Sequence, residues 1–162
     1  MEHNNPSYCF CALGRLLQCQ SRNGIRTFHD LNPRANDFKI RYAFRDTEFY
    51  GAYMTDVIKN LEMKDSHDVK AHLKWNTHIV HENISMLREE LSDLNTNKPI
   101  LLAFGVDTYN LLNNNLRKNE YSKLIKLTHY SHQISKENYM KEVLGQIHDA
   151  LPAFAQEVMD KK

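Results

Sequence analysis

The stretch Pro99-Ile100-Leu101-Leu102-Ala103-Phe104-Gly105 decides the fold class of this chain. Five consecutive apolar residues stand between a proline and a glycine, and no polar residue alternates with them. A strand with one solvated face alternates apolar and polar side chains, whereas a continuous apolar run indicates a strand that is covered on both faces. The stretch therefore predicts a central β-strand with helices packed on either side of it.

Three other apolar runs predict further strands, and helical periodicity lies between them. The strands are expected at Tyr8 to Leu13, at Phe49 to Met54 and at Leu124 to Leu127. The helices are expected at Asp65 to Trp75, at Thr77 to Leu94, at Asp107 to Arg117, and onward from an N-cap at Ser135. Strands that alternate with helices favour parallel pairing through right-handed crossovers. The sequence thus predicts an α/β fold, a three-layer sandwich with a central four-stranded, mainly parallel sheet.

Length and composition indicate one ordinary globular domain. The chain has 162 residues, 41% of them hydrophobic and 25% charged, so a single α/β domain is expected over residues 1–162. The net charge is +1, so attraction to nucleic acid would need a local basic patch.

Two further features bear on the compartment. Met1 to Pro6 lacks the charged and apolar regions of a signal peptide, and no apolar run is long enough to span a membrane. Three cysteines without a disulfide framework favour a reducing compartment. We therefore expect a cytoplasmic protein with no membrane partner, and no oligomeric state is predicted.

Ligands of parallel sheets bind beyond the carboxyl ends of the strands, where this sequence has several polar residues. Thr55 and Asp56 follow the second predicted strand, and His129, Ser131 and His132 follow the fourth. A histidine in such a loop suits hydrogen bonding to charge that develops on a leaving group, and Ser131 suits a phosphate. The alternatives are a loop histidine without a ligand and a turn cap made by Thr55 and Asp56.

The densest basic stretch of the chain lies between the first two predicted strands. It includes Arg26, Arg34 and Arg41, interleaved with aromatic residues such as Phe28. Cations that alternate with aromatic side chains suit backbone phosphates and a stacked base. The alternative is a solvated helix with aromatic core residues, because several aspartates dilute the charge. Lys59, close after Asp56, is placed to pair with that carboxylate or with a phosphate.

No metal ligand set and no cofactor is expected. Four histidines cluster between His67 and His81, but their spacing and the lack of neighbouring cysteines match no zinc pattern. Cys9 and Cys11 lie within the first predicted strand and are better explained as buried thiols. Phosphate-binding loops, dinucleotide fingerprints and nucleophile elbows are also absent from the sequence.

Three segments at these strand ends resemble the uracil-DNA glycosylase-like superfamily, within a match that covers roughly Phe49 to Val143. Ala52-Tyr53-Met54-Thr55-Asp56-Val57-Ile58-Lys59 is similar to the second-strand segment of the family. Pro99 to Gly105 resembles its third strand and glycine turn. Lys126-Leu127-Thr128-His129-Tyr130-Ser131-His132 resembles its His-Pro-Ser loop, with Tyr130 in place of the proline. The pattern also looks like a group of uncharacterised bacterial or phage proteins in that superfamily.

The resemblance implies hydrolysis of the bond between a base and deoxyribose, with the base flipped out of the DNA duplex. On this basis His129 would be the catalytic residue and would hydrogen-bond the departing base. The residues implied to contact the substrate are Asp56, Thr55, Phe28, Tyr130 and Ser131. The residues implied to contact nucleic acid are Arg26, Arg34, Arg41, Lys59 and His132. The implied partner is DNA or a nucleotide, and the reaction needs neither a metal nor a cofactor.

Two other functions stay open at this point. The segment Ala12 to Leu17, after the first predicted strand, lacks the acidic or Asn residue with which the family activates water. That departure favours a non-catalytic nucleic-acid or nucleotide-binding module, or an inhibitor, of DNA metabolism. A small nucleotide-processing enzyme is a third possibility.

Asp56 stands where uracil readers have Asn, and an ionised Asp only accepts hydrogen bonds, which favours a base other than uracil.

Overall fold

The computed structural model of the protein describes residues 9–13, 36, 38–50, 52–59, 66–94 and 98–152, with the backbone alone at 9–13 and 66–67. Its strands are β1 (Cys9–Leu13), β2 (Tyr53–Asp56), β3 (Ile100–Phe104) and β4 (Lys123–Leu127). The strands pair side by side in the order β2-β1-β3-β4. The helices are α1 (Phe38–Phe44), α2 (Ser66–Trp75), α3 (Thr77–Asp93), α4 (Val106–Asn115) and α5 (Lys136–Ala150). The predicted α/β class is confirmed.

The direction of β1 differs from the predicted, mainly parallel pairing. β1 pairs antiparallel with both β2 and β3, and among the described strands only β3 and β4 pair in parallel. An apolar run indicates how deeply a strand is buried but not which way it runs, because both pairings satisfy the backbone hydrogen bonds. With β1 reversed, β2, β3 and β4 all run the same way. Their last residues, Asp56, Phe104 and Leu127, therefore lie along one side of the sheet, which we name the carboxyl edge.

Helices cover both faces of β3, in agreement with its continuous apolar sequence. Leu101 and Ala103 face a core formed with α2, α3 and α4, whereas Leu102 and Phe104 face a core formed with α1 and α5. All four side chains have 0% exposure. The sheet thus lies between two helical layers, and β3 is at the centre of the fold.

Helical periodicity correctly predicts the positions of α2 to α5 and their inward faces. On α3 the buried stripe runs from Val80 to Leu91, and on α5 it runs from Tyr139 to Ile147. The predicted N-cap of α5 is confirmed, because Ser135 Oγ accepts a hydrogen bond from the backbone N–H of Asn138 at 3.2 Å. Such a bond satisfies one of the N–H groups that a first helical turn leaves without a partner.

The prediction that the second strand begins at Phe49 is wrong. Residues 47–50 form a turn, in which the N–H of Tyr50 donates to Thr47 O at 3.1 Å, and β2 begins only at Tyr53. Phe49 is buried within this turn and packs on Phe44, with ring centroids 5.9 Å apart. Phe49 is apolar because it lies in the core beside α1. A hydrophobic pattern along the sequence looks the same for a buried turn residue and for a buried strand residue.

An ion pair joins α3 to the segment that precedes β4. Arg88 Nε lies 2.5 Å from Glu120 Oε1, and Arg88 Nη2 lies 3.2 Å from Glu120 Oε2. The second carboxylate oxygen also accepts the backbone N–H of Arg117 at 2.6 Å. The hydrogen bonds from Arg88 lower the pKa of Glu120, with help from Arg117 and against the opposing effect of partial burial.

We expect Glu120→Gln to reduce the free energy of unfolding at neutral pH and to have less effect in acid. Because the pKa of Glu120 is lower in the folded protein, its contribution is present above the ordinary value of 4.5 and is lost as the pH falls through the folded value. Urea unfolding of both proteins from neutral pH to about pH 3 measures this difference. Glu89→Gln, at an exposed position of α3, is the control. A difference that does not change with pH would contradict the prediction.

Candidate functional site

Thr55 and Asp56 end β2 at the carboxyl edge, and Lys59 ties this end to α3. Thr55 is buried and its hydroxyl lies 3.5 Å from Asp56 O, while Asp56 is half-buried. Lys59 Nζ donates to Asp56 O at 2.7 Å and pairs with Glu90 Oε1 at 2.9 Å. The backbone N–H of Lys59 donates to Asn83 Oδ1 at 2.7 Å. The predicted phosphate contact, Lys59, is therefore engaged by the carbonyl of Asp56 and by a carboxylate of α3.

The pairing of the strands sets the separation between the ends of β2 and β4. Asp56 pairs with Cys9 of β1, and Phe104 of β3 pairs with Leu127 of β4. The register between β1 and β3 continues this row from Cys9 to Phe104. Asp56 and Leu127 are consequently three strand spacings apart, which is about 14 Å. The two predicted site segments, after β2 and after β4, therefore lie on the same edge of the sheet, and two strands separate β2 from β4.

The loop after β4 carries His129, and Ser131 fixes the hydrogen-bonding state of its ring. The backbone N–H of Ser131 donates to His129 Nδ1 at 3.1 Å, and Ser131 Oγ lies 2.8 Å from the same nitrogen. A ring nitrogen that accepts a backbone N–H carries no proton, so the neutral imidazole has its proton on Nε2. Ser131, a predicted phosphate contact, thus makes His129 Nε2–H a donor of defined orientation.

Tyr130 supports the imidazole from one side. Its ring stacks on that of His129, with centroids 4.2 Å apart and an interplanar angle of 26°. Its edge meets Phe104 at 6.1 Å and 77°, and Phe104 is fully buried. Tyr130 was expected to contact substrate, and the structure places one face of its ring on His129. It therefore connects the imidazole to the core of the protein.

Gly105 lies against the imidazole where β3 leads into α4. Its φ is 92°, a backbone conformation that residues with a Cβ rarely adopt. A Cβ added at this position would lie 3.4 Å from His129 Cδ2. The N–H of Gly105 donates to Leu127 O at 2.8 Å, which fastens the turn to the end of β4. The glycine is required by its backbone conformation, and a Cβ at this position would be in van der Waals contact with the histidine ring.

Thr128, directly before His129, is bound by three side chains of α5. Its N–H donates to Gln146 Oε1 at 2.9 Å, and its hydroxyl accepts from Gln146 Nε2 at 3.0 Å. The same hydroxyl bonds to Glu142 Oε1, and the Thr128 carbonyl accepts from Tyr139 Oη at 3.0 Å. Every polar group of Thr128 is thus held by α5. These bonds fix the direction in which the chain leaves β4, and with it the position of His129.

A buried lysine fastens the far end of the same loop. Lys39 on α1 is only 5% exposed, and its Nζ donates to His132 O at 2.8 Å. The N–H of His132 in turn donates to His129 O at 3.0 Å. The side chain of His132, a predicted nucleic-acid contact, is exposed. The backbone of the loop is therefore anchored to α5 at one end and to α1 at the other.

Four predicted site residues belong to the basic stretch before β2. Arg41 lies at an exposed position of α1, and it has contacts within the protein. Phe28, Arg26 and Arg34 lie outside the described residues. In the part of this stretch that the structure describes, Phe44 of α1 is buried, which agrees with the alternative of a helix that carries aromatic core residues.

Sequence reasoning found the loop but missed the residues that hold it. Gly105 was predicted as a turn residue without a link to His129. Thr128 and Lys39 were given no role, because nothing along the chain shows that α5 and α1 reach this loop. A weak signal does exist in Tyr139, Glu142 and Gln146, whose spacing of three and four residues puts polar groups beside an otherwise apolar helical face.

Comparisons with other proteins supply no further assignment. No protein-family model, no curated protein and no solved structure matches this chain at a significant level.

Across the described ranges, no group of three or more His, Cys, Asp or Glu side chains is arranged to hold a metal ion. In that same part of the chain, no helix is long and apolar enough to cross a membrane.

Two glycine substitutions test how Gly105 supports the site. Gly105→Ala is expected to lower the free energy of unfolding by about 1–3 kcal/mol, because alanine is strained at this φ. Gly145→Ala is the matched control, since a Cβ in this part of α5 meets nothing within 4 Å. That change is expected to stabilise the protein by about 0.5–1 kcal/mol through helix propensity. Thermal and urea unfolding measure both effects. Equal effects of the two substitutions would contradict the role given to Gly105.

Proposed function

We propose that this chain is a divergent uracil-DNA glycosylase-like protein that binds a nucleobase of DNA at the carboxyl edge and hydrolyses its bond to deoxyribose. The observation that carries the proposal is the fixed Nε2–H of His129, beside Gly105 at the end of two parallel strands. The proposal includes the sandwich fold of that superfamily, with β1 reversed in direction.

The chemistry of base release suits this arrangement. When the bond between a base and its sugar breaks, negative charge develops on the base, and a preorganised hydrogen-bond donor stabilises that charge. The imidazole meets this need because Ser131 occupies Nδ1 and Tyr130 packs on the ring. Anchoring of the loop by Thr128 and Lys39 supports the same role, since a donor that is already oriented loses little entropy when it binds.

Asp56 has a separate part in this proposal. It lies on the same edge as His129 but about three strand spacings, or ~14 Å, along the sheet from Leu127. An ionised carboxylate accepts hydrogen bonds only, so at this distance it suits a hydroxyl or amino group of the sugar or of a neighbouring nucleotide. The choice of a modified base other than uracil rests on the resemblance, because Asp56 stands where the uracil readers of that superfamily have Asn.

A second candidate function is a non-catalytic nucleic-acid or nucleotide-binding module, and one observation favours it. Asp107, two residues after Gly105, is paired with Lys70 at 2.8 Å, and Asp56 is far along the sheet. Glu142, the carboxylate that contacts this loop, is engaged by the hydroxyl of Thr128. Each of these carboxylates is thus engaged by another group or distant, whereas a water-activating base must reach a water at the reacting bond. In this function the same donor, His129 Nε2–H, recognises a base without breaking its bond to the sugar.

Incubation with modified DNA tests the enzymatic proposal. Duplex and single-stranded oligonucleotides that contain hypoxanthine, xanthine, an alkylated base or uracil are treated with the protein and then with alkali. We expect strand breaks at one or more of the bases other than uracil, and His129→Ala should slow their formation about 100-fold or more. His78→Ala, which changes an exposed histidine of α3, is the control and should have no effect.

The same samples distinguish the two functions. If no base is released from any oligonucleotide, the enzymatic proposal is wrong. The binding module then requires that His129→Ala weakens DNA binding, and that the affinity of the wild-type protein falls steeply as salt is added. If the wild-type protein neither releases a base nor binds DNA, both functions are excluded.

A further inference from the structure

A groove lies where α2, α3 and α4 meet. Its volume is about 480 Å³, and its floor is formed by Leu73, Val80 and Leu111. This volume is within the range of about 300–1,000 Å³ that is usual for small-molecule sites. We name this space the α4 groove. It plays no part in the proposed function of His129.

The two walls of the α4 groove carry polar side chains one helical turn apart. Asn110 and Asn114 line it from α4, and Thr77 and His81 line it from α3. Within the described ranges, the side chains of all four have no hydrogen-bond partner. Residues four apart on a helix are about 6 Å apart along its axis, so each wall offers two polar groups over the length of one aromatic heterocycle.

One end of the groove has a surplus of positive charge. Lys70, Lys74 and Asp107 line it, and Lys70 Nζ pairs with Asp107 Oδ1 at 2.8 Å. Lys74 is exposed and has no ion-pair partner among the described residues. The opposite charges of Lys70 and Asp107 cancel each other, so Lys74 gives this end of the groove a net positive charge. A ligand with a negative group at one end complements this distribution.

From these features we propose that the α4 groove binds a nucleoside monophosphate, with the phosphate at Lys74 and the base between Asn110 and Asn114 and the wall of Thr77 and His81. An asparagine amide both donates and accepts, which matches the donor and acceptor edge of a nucleobase. The apolar floor of leucine and valine suits the face of the base, and the lysine suits the phosphate as a point charge. The proposed ligand is a free nucleotide, because the lining of the groove on α4 runs only from Asp107 to Asn115, or about two helical turns.

The only tryptophan of the chain provides a local signal for binding. Trp75 stands between Lys74 and Thr77, which both line the groove, and it is 82% exposed. A ligand that binds next to it is expected to change its fluorescence. The intact chain is titrated with AMP, GMP, CMP and UMP, and calorimetry measures the same affinities independently.

We expect saturable binding of at least one nucleotide in a one-to-one complex. Lys74→Gln and Asn110→Leu should each weaken it about tenfold or more. Both positions are exposed, so the variants are expected to fold normally, and a thermal unfolding curve verifies this. Lys141→Gln, at an exposed position of α5, is the control and should bind like the wild type. His129→Ala should also bind like the wild type, which separates this site from the carboxyl edge.

Three results would each overturn the proposal. The first is that none of the four nucleotides binds. The second is that ribose 5-phosphate or inorganic phosphate binds as tightly as the nucleotides, because the asparagines would then contribute nothing. The third is that binding occurs but is unchanged in Lys74→Gln and Asn110→Leu. Loss of binding in His129→Ala alone would assign the nucleotide to the carboxyl edge instead.

Discussion

Burial of β3 on both faces is the constraint on which the rest of the structure depends. Its side chains from Leu101 to Phe104 are removed from water completely, and each buried leucine or phenylalanine side chain contributes about 1.5–3 kcal/mol. Neither face can be left open without losing that contribution, so a helical layer is needed on each side. The layers in turn fix where the ends of the strands lie, and therefore where a ligand has access.

The loop after β4 shows how polar interactions complete what apolar packing begins. Apolar packing places β4 beside β3 and α5 against the sheet. The direction of the loop is then set by hydrogen bonds, four of which involve Thr128 and one of which comes from the buried amine of Lys39. A buried amine without a hydrogen-bond partner destabilises a folded protein. The bond from Lys39 Nζ to His132 O therefore satisfies the amine and also positions the loop.

Helix α4 connects the two proposed sites. Gly105, at its start, leaves room for the imidazole of His129, which lies 3.4 Å from where a Cβ would stand. Asp107 in its first turn pairs with Lys70 of α2 beside the α4 groove. One face of the helix packs on the sheet through Leu112, and another lines the groove through Asn110 and Asn114.

The sequence by itself determined helices α2 to α5, the approximate positions of the strands, and the buried faces of these elements. The continuous apolar run of β3, the helical stripes of α3 and α5 and the cap at Ser135 all depend on interactions within a few residues, so a linear pattern contains them. It also placed Asp56 and His129 near the carboxyl ends of strands: Asp56 is the last residue of β2, and His129 is the second residue after β4. Only the tertiary structure decided that β1 runs antiparallel, that Phe49 belongs to a turn and that Lys39 reaches His132, 93 residues away. These features depend on contacts between distant segments, and hydrophobic periodicity carries no information about which segments meet or in which direction.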